Sequence, residues 1–233
     1  MIDRAFFRKL RAPFRRARGR LTMAVGRASS AKPLSTDFGY SRGTPIDRYY
    51  IERFLADHAG DIRGRVLEIG DDSYSRKFAG DRVTKQDILH VTPGHPGATI
   101  IGDLADASTL PPRAFDCIIL TQTLHLIFDL QAAAEQIFRA LAPGGVALIT
   151  VPGISPIDRG EWKGSWYWSL TDRALAKLLS GSFEPEKVEV ALFGNLRAAT
   201  AFLHGAAVEE VGRSRLDPFD PAYPVTVAAR AQA

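Results

Sequence analysis

The sequence is poor in sulfur and has no apolar stretch of membrane-spanning length. It contains one cysteine and two methionines. Cys117 alone cannot form an intramolecular disulfide, and a zinc site built from several cysteines is excluded as well. The longest apolar stretch, Val146–Val151, is far shorter than the roughly 18 residues of a membrane-spanning helix. The Gly-x-Gly-x-x-Gly pattern is also missing, which disfavours a nicotinamide cofactor.

The rest of the composition is that of a globular protein. The chain has 233 residues, of which 45% are hydrophobic and 24% are charged. At this length roughly 70–75% of the unfolded surface can be buried, so one large core is sufficient for stability. The single cysteine fits a reducing compartment, and the N-terminal apolar stretch is too short for a secretory signal. We therefore expect a cytoplasmic protein.

Charge is divided unevenly between the first 34 residues and the rest. Residues 1–34 contain ten basic residues and one acid, a charge of +9, whereas the other 199 residues have a charge of −5. Apolar residues recur among the arginines, as in amphipathic helices that lie on an anionic membrane surface, here the inner face of the cell membrane. Binding to nucleic-acid phosphates and a solvated, disordered extension are the alternatives. We expect residues 1–34 to form a basic extension separate from the fold.

From residue 35 onward, short apolar runs alternate with helical patterns. Thr44 and Pro45 are suited to the start of a helix that ends near Gly60. Short strands are predicted at 65–69, 83–88, 98–102, 115–120, 145–151, 187–193 and 225–230. Later helices are predicted at 129–142, 171–179 and 196–211. The alternation predicts one α/β domain over residues 35–233, with a parallel sheet between two layers of helices.

An acid and a glycine end the first predicted strand, which reads Val-Leu-Glu-Ile-Gly at 66–70. Gly70 permits a tight turn and a close approach to a ligand, and a buried Glu68 carboxylate requires hydrogen-bonding partners. Alone, this pattern is equally typical of a strand-to-helix turn with a capping acid. Asp87 late in the second strand and Asp103 after the third add two more acids. All three would face the edge of the sheet at which such folds bind ligands.

This ordered set resembles the class I S-adenosylmethionine-dependent methyltransferases. Its later members are Thr121, after the fourth strand, and the Pro-Gly-Gly turn at 143–145. The segment 38–54, which opens Phe-Gly-Tyr-Ser-Arg-Gly-Thr-Pro, is similar to a small bacterial branch linked to glycan or secondary-metabolite pathways. The resemblance covers residues 35–233. It implies a Rossmann-like class I fold with a mostly parallel seven-stranded sheet flanked by helices.

The resemblance also implies the cofactor, S-adenosyl-L-methionine, with S-adenosyl-L-homocysteine as its product. Asp87 would accept hydrogen bonds from the ribose hydroxyls. Asp103 would face the adenine amino group beside the backbone amide of Leu104, and Thr121 would approach the methionine part. The full set of predicted cofactor-binding residues is Glu68, Gly70, Asp71, Asp87, Asp103, Leu104 and Thr121.

One position departs from the pattern of the family. Many relatives have Glu-x-Gly-x-Gly, whereas Asp72 stands here in place of the second glycine. The departure implies either a different path of the loop or weaker cofactor binding. Because the other members of the set are present, we expect a different path.

A methyl group on a sulfonium is already activated, so catalysis can consist largely of aligning the acceptor. A hydroxyl acceptor gains from a general base, and histidine is the common choice. His125, five residues after the fourth strand, is the best placed of the five histidines. Its alternative role is to line the pocket or pack beneath it. No metal site is predicted.

Candidate residues for binding the methyl acceptor lie before the first helix and after the fifth strand. Trp166 belongs to a run of aromatic residues that would stack on a sugar or another ring, or that would pack together as a satellite cluster. Tyr40 and Arg42 would help to close the site, or would belong to a solvated loop before the first helix. We expect a small-molecule, glycan or lipid-linked acceptor and O-methylation.

Two further functions remain open from the sequence. Methylation of RNA would use the basic arm, although the Asn/Asp-Pro-Pro-aromatic pattern of base-amino methylation is missing after the fourth strand, so a nucleic-acid partner is not favoured. A non-catalytic, methyltransferase-like binding protein would explain Asp72.

Overall fold

The computed structural model describes residues 31–233, and the predictions for the basic arm fall almost entirely outside the described residues. The described chain forms two compact units. The larger unit contains residues 51–153, 159–192 and 226–233, and the smaller one contains residues 31–50, 154–158 and 193–225.

A seven-stranded sheet is the frame of the larger unit. Its strands are β1 (Gly64–Ile69), β2 (Val83–His90), β3 (Ile100–Ile101), β4 (Phe115–Thr121), β5 (Leu141–Pro152), β6 (Val188–Phe193) and β7 (Thr226–Gln232). Their order across the sheet is β3-β2-β1-β4-β5-β7-β6. The first five strands pair in parallel, and β7 runs antiparallel to β5. The predicted Rossmann-like, mostly parallel sheet is therefore confirmed.

Three of the helices begin close to their predicted positions because side chains cap them. The helices are α1 (Ile46–Asp57), α2 (Ser73–Phe78), α3 (Leu130–Ala140), α4 (Asp172–Leu179), α5 (Leu196–Leu203), α6 (Val208–Val211) and α7 (Arg213–Leu216). Asp129 caps α3 by accepting a hydrogen bond from the backbone of Ala132 (3.0 Å), and Thr171 caps α4 in the same way. Among the residues that the structure describes, no helix is both long and apolar enough to cross a bilayer.

One hydrophobic cluster fixes the sheet of the larger unit against its helices. It joins Leu67 of β1, Ile118 of β4 and Ile149 of β5 to Ile137 of α3 and Leu175 of α4, all fully buried. Burying each of these side chains contributes about 1.5–3 kcal/mol to folding. The strand ends that follow this core are thus held on a rigid scaffold.

The smaller unit has a core of its own, which includes Tyr50, Phe202 and Val208. The sequence predicts one helix over 196–211, and this prediction is wrong because the chain breaks into α5 and α6 around Gly205. Gly205 has a φ of +67°, and a Cβ there would lie 2.4 Å from the carbonyl oxygen of Ser35. Only glycine fits this close approach, so the helix ends before it.

The start of α1 also differs from the prediction. Thr44 does not cap the helix: its backbone N–H and its hydroxyl both donate to the carboxylate of Glu209, at 3.0 and 2.9 Å. Pro45 forms an isolated bridge with Ala207, and α1 begins one residue later, at Ile46. Thr44 therefore connects two segments of the smaller unit.

Candidate active site

The loop after β1 turns tightly at Gly70, which has a φ of +90°. A Cβ at this position would meet no heavy atom within 4 Å, so the space beside the glycine is open. The backbone N–H of Gly70 donates to the carbonyl of Leu89 in β2 (3.0 Å). The loop therefore lies next to the end of β2, at the carboxyl edge of the sheet where such folds bind ligands.

The side chain of Glu68 fixes this loop through hydrogen bonds to the helix that follows it. Its buried carboxylate accepts hydrogen bonds from the backbone N–H groups of Tyr74 (3.0 Å) and Ser75 (2.9 Å) in the first turn of α2. Burial raises the pKa of Glu68 to about 7, against the opposing effect of the two N–H donors. The acid thus caps α2 from the preceding strand and fixes the path of the chain between them.

Asp71 and Asp72 complete the loop. Asp71 accepts a hydrogen bond from the backbone of Ser73 (2.8 Å), and Asp72 pairs with Arg76 one helical turn later (2.6 Å). The φ of Asp72 is −113°, a value that any residue adopts. The loop therefore needs no glycine at this position, and the expected difference in its path stays a prediction.

Asp87 is engaged by neighbouring side chains, and its predicted contact with the ribose stays a prediction. Asp87 is buried three residues before the end of β2, opposite Leu67 in the ladder. One carboxylate oxygen accepts from Arg65 Nε (2.7 Å) and the other from the hydroxyl of Thr99 (3.0 Å). Both oxygens are engaged inside the sheet, and His90 is the residue that ends β2 at its carboxyl edge.

Asp103 and Leu104 follow β3 as the resemblance requires. Asp103 is exposed, and its Oδ1 accepts from the backbone of Ala105 (2.9 Å). Within the described chain, neither Asp103 Oδ2 nor the backbone N–H of Leu104 makes a hydrogen bond. An acceptor beside a donor is complementary to the edge of adenine, which presents an amino group next to a ring nitrogen.

The chain leaves β4 through a strained turn that the sequence does not reveal. Thr121 ends the strand opposite Thr150, and Gln122 has a φ of +49°, which is uncommon for a residue with a side chain. Gln122 N donates to the carbonyl of Thr150 (2.8 Å), while its side-chain Nε2 is buried without a partner among the described residues. Strain and an unsatisfied polar atom mark functional positions, so Gln122 joins the candidate site.

His125 is buried in the short helical turn Leu124–Leu126 that follows β4. Its ring meets the edge of the Trp166 ring at a centroid distance of 4.4 Å, which brings two separately predicted residues together. Within the described residues, His125 Nδ1 has no hydrogen-bond partner. Burial lowers the pKa of His125 to about 4, so the imidazole is neutral at neutral pH.

A group of exposed aromatic rings borders His125. Phe128 is 69% exposed and Tyr167 is 49% exposed, and their rings meet edge to face at 5.3 Å. Trp168 stacks on Phe128 at 5.8 Å and donates its ring N–H to the carbonyl of Ile127 (2.9 Å). These three residues, called the aromatic platform below, give a ring-bearing ligand a surface to stack on.

Tyr40 and Arg42 belong to the smaller unit, where both side chains are engaged. Arg42 forms a bidentate ion pair with the buried Glu210, with Nε to Oε2 at 2.9 Å. The hydroxyl of Tyr40 accepts from Arg48 Nε (2.8 Å). Their predicted part in closing the site stays a prediction.

The described residues can also be searched for a cysteine nucleophile and for a metal site. Cys117 is buried in the middle of β4, and burial raises the pKa of its thiol, so it is not a nucleophile. In the described part of the chain, no group of three or more histidine, cysteine or acidic residues could hold a metal ion.

The fold and this strand-end arrangement define the class of the protein: a Rossmann-like α/β domain with an open glycine turn and available polar groups at the carboxyl edge of its sheet. A family described as "Methyltransferase domain" matches residues 44–183, more than half of the chain. The chain belongs to this family. The predictions of a methyltransferase and of S-adenosylmethionine as its methyl donor are thereby confirmed.

Solved structures confirm the fold over most of the chain. A SAM-dependent methyltransferase from Archaeoglobus fulgidus is 12% identical, with a TM-score of 0.54 over 80% of this chain and 94% of that one. A second, from Mesorhizobium loti, is 15% identical, with a TM-score of 0.52 over 81% of this chain and 98% of that one. The [4+2]-cyclase SpnF is 16% identical, with a TM-score of 0.52 over 97% of this chain and 96% of that one. This architecture therefore also serves an enzyme named for another reaction.

Curated relatives match a shorter segment. "Probable polyketide synthase 5" from Dictyostelium discoideum is 31% identical over 85 residues, or 36% of this chain. The match spans only 3% of the length of that protein.

Proposed function

We propose that the protein transfers a methyl group from S-adenosylmethionine to a hydroxyl of a small, glycan or lipid-linked acceptor that contains a sugar ring. The observation that carries this proposal is the position of a buried, neutral His125 between the end of β4 and the aromatic platform. A hydroxyl acceptor needs a hydrogen-bond acceptor beside it, and a sugar ring needs an aromatic surface.

Different residues of the carboxyl edge would bind the cofactor and orient polar groups. The open backbone at Gly70 and the acceptor-donor pair of Asp103 and Leu104 would hold the cofactor, which when bound supplies a methyl group activated by a sulfonium. Gln122 and Thr121 lie at the end of β4 and would orient polar groups there. These residues pre-organise the reactants, which is the main source of rate when little proton chemistry is required.

His125 acts on the acceptor. Because its imidazole is neutral at neutral pH, a ring nitrogen can accept the hydrogen bond of the acceptor hydroxyl and align the oxygen for in-line attack. As the methyl group of a bound donor would leave its sulfur for the acceptor oxygen, the hydroxyl would become acidic and its proton would pass to that nitrogen. Because a pKa of about 4 makes His125 a weak base, we expect its contribution at the lower end of the range of general bases, about 10²-fold.

The openness of the aromatic platform favours a sugar over an aliphatic chain. Because Phe128 and Tyr167 are about half or more exposed, they can cover only one side of a ligand, and an aliphatic chain would keep its other side in water. A sugar ring can stack its apolar face on these rings while its hydroxyls stay hydrated. The platform is thus suited to a ligand with one apolar and one polar face.

The reaction is tested by mass spectrometry with a deuterated-methyl donor and a set of sugar, glycolipid and metabolite acceptors. We expect the label on an oxygen of a sugar-containing product. A product labelled on nitrogen or carbon, or exclusively on acceptors without a sugar ring, would overturn the proposal.

We also propose that residues 1–34 bring the enzyme to an anionic membrane surface, on the strength of their +9 charge. The full chain should sediment with vesicles of phosphatidylglycerol, and a chain starting at Ser35 should not. Release by high salt is expected, because the attraction is screened. Equal sedimentation of both chains would contradict the proposal.

A further inference from the structure

The outer side of α5 exposes apolar side chains. Leu196 and Leu203 are 56% and 46% exposed, and Thr200, one turn after Leu196, is exposed as well. Residues three, four and seven positions apart share one side of a helix, so these three form a single stripe, called the α5 face below. The other side of the helix, with Ala198 and Phe202, is buried in the core of the smaller unit. The α5 face is therefore apolar surface that this core does not use.

The α5 face can leave water without losing a hydrogen bond. The hydroxyl of Thr200 donates to the backbone carbonyl of Leu196 (2.8 Å), so this polar atom already has a partner within the helix. The helix contains one basic residue, Arg197, and no acid. No carboxylate of α5 would have to be desolvated or brought near negative charge. The α5 face is thus suited to an apolar surface that has an anionic border.

An exposed aromatic ring lies at the start of α5. Phe219 is exposed, and both of its neighbours in sequence are bonded to the residues that precede the helix. Asp220 N donates to the carbonyl of Gly194 (3.0 Å), and Asn195 Nδ2 donates to the carbonyl of Pro218 (2.5 Å). Phenylalanine and leucine side chains are the usual apolar contacts of a protein surface that lies on a bilayer.

The basic arm joins the smaller unit at the other end of α5. Leu34 N donates to the carbonyl of His204, the residue after the helix (2.7 Å), and the hydroxyl of Ser35 donates to the carbonyl of Gly205 (2.9 Å). Residues 1–34, with their charge of +9, therefore meet the fold beside the end of α5 that carries Leu203. Because an eight-residue helix is only about 12 Å long, the whole α5 face lies near this point.

We infer that the α5 face contacts the apolar layer beneath the headgroups of an anionic bilayer. This inference rests on the proposed binding of residues 1–34 to an anionic membrane surface. The arm supplies an electrostatic attraction, and the α5 face adds an apolar contact that charge alone does not give. Stable attachment to a membrane generally takes two such signals.

The size of the α5 face favours a bilayer over a second copy of the chain. A stable dimer buries roughly 800 Å² on each partner, and three side chains of a short helix offer only part of that area. A bilayer requires no matching shape, and the charge of the neighbouring arm supplies further attraction.

The test is sedimentation of the full-length protein with vesicles of phosphatidylglycerol and phosphatidylcholine. The double variant Leu196→Gln/Leu203→Gln removes the apolar contact and keeps residues that favour a helix. We expect it to bind roughly tenfold more weakly, by the same factor at every salt concentration, because salt does not screen an apolar contact. The matched control is Val91→Gln/Ile101→Gln, whose residues are 59% and 44% exposed in the larger unit. It should bind like the wild type.

A fluorescent label locates the contact without removing any leucine. An environment-sensitive dye is attached at Thr200→Cys in the full-length protein, where the native Cys117 is buried and poorly accessible to the reagent. We expect its emission to shift to the blue when vesicles are added, because the dye leaves water. The same dye at Val91→Cys should not shift. A label at Thr200→Cys that stays in water while the protein sediments would overturn the inference.

The results distinguish the α5 face from the arm. A full-length wild type that does not bind the vesicles would contradict the proposed membrane binding of the arm itself. A wild type that binds, together with a Leu196→Gln/Leu203→Gln variant of equal affinity, would contradict only the role of the α5 face. Equal losses in this variant and in the control pair would likewise overturn it. A variant that changes its oligomeric state in light scattering, with unchanged vesicle binding, would assign the α5 face to a second copy instead.

Discussion

The imidazole of His125 meets the indole of Trp166 with ring centroids 4.4 Å apart and planes inclined by 63°. The backbone carbonyl of His125 also accepts hydrogen bonds from the N–H groups of Tyr167 (3.1 Å) and Trp168 (3.2 Å). The segment that carries the aromatic residues is therefore tied to the turn after β4. A change in one of these segments is transmitted to the other.

Replacement of His125 tests its proposed role as the base. We expect His125→Asn to lower kcat about 10²-fold for a hydroxyl acceptor, since proton transfer to a base of low pKa is lost. Affinity for S-adenosylhomocysteine, measured by calorimetry, should stay within about threefold of the wild type, less than one lost hydrogen bond would cost. A packing role alone would instead lower activity only in proportion to a loss of folded protein.

Acid stability tests the burial of the same ring. Because burial lowers the pKa of His125 from 6.5 to about 4, the unfolded chain binds more protons than the folded one between these pH values. Acidification through this window should destabilise the wild type by up to about 3 kcal/mol at this residue. We expect the melting temperature of His125→Asn to fall less between pH 7 and pH 5. Burial raises the pKa of Glu68, so Glu68 has the opposite effect on stability as the pH falls. This effect cancels in the comparison because both proteins contain Glu68.

Asp103 offers a specific test of cofactor recognition. Asp103→Asn keeps the acceptor for Ala105 but replaces Oδ2 by a donor, which opposes the amino group of adenine. We expect about tenfold weaker binding of S-adenosylhomocysteine and a relative gain for S-inosylhomocysteine, which has an oxygen at that position. Asp106→Asn is the control, because Asp106 is also exposed and accepts from Ser108 in a similar turn. Equal affinities in the two variants would refute the assignment.

Glu68 should affect stability and cofactor binding together. Glu68→Gln leaves one of the two backbone donors of α2 without an acceptor, which costs about 1–3 kcal/mol in the free energy of unfolding. The loop at Gly70 loses its support, so affinity for S-adenosylhomocysteine should fall as well. In the control, Glu52→Gln removes the exposed pair with Lys77 and should cost less than about 1 kcal/mol. Chemical denaturation of the two variants would contradict this if their stabilities were equal.

The aromatic platform should govern affinity for the acceptor. We expect Phe128→Ala to raise the KM for the acceptor roughly twofold to tenfold, because a stacking surface is lost, while the KM for the methyl donor is unchanged. Phe138→Ala is a matched control: Phe138 is 41% exposed and meets Phe183 edge to face, but it lies on α3. Similar kinetics in both variants would exclude the platform from acceptor binding.

Much of the fold was predictable because its signals are local. The strands β4 and β5 follow nearly continuous apolar runs, and α3 and α4 start next to the capping residues Asp129 and Thr171. The break at Gly205 was not predictable, since it depends on the approach of the Ser35 backbone from a distant part of the sequence. The helical periodicity of residues 196–211 cannot reveal a contact with a segment that is distant in sequence.

The candidate site also contains residues that the local sequence predicts and residues whose surroundings depend on the tertiary structure. Glu68, Gly70 and Asp103 follow strands of clear sequence pattern, and the structure finds them at the predicted strand ends. Asp87 differs because its surroundings depend on register: Asp87 lies opposite Leu67, and Leu89 lies opposite Ile69, where β1 ends. A few residues along one strand decide whether a side chain reaches the edge of the sheet.

The sequence by itself determined the fold class, a mostly parallel α/β sheet with acids and glycines near its strand ends, because hydrophobic periodicity and turn residues are encoded locally. The ordered set of these residues carried the resemblance to methyltransferases. Only the tertiary structure decided which polar groups remain available. Arg65 and Thr99 engage Asp87, whereas Asp103 Oδ2 and the backbone N–H of Leu104 make no hydrogen bond within the described chain. The physical reason is that a buried charge must find partners, and those partners come from segments far apart in sequence.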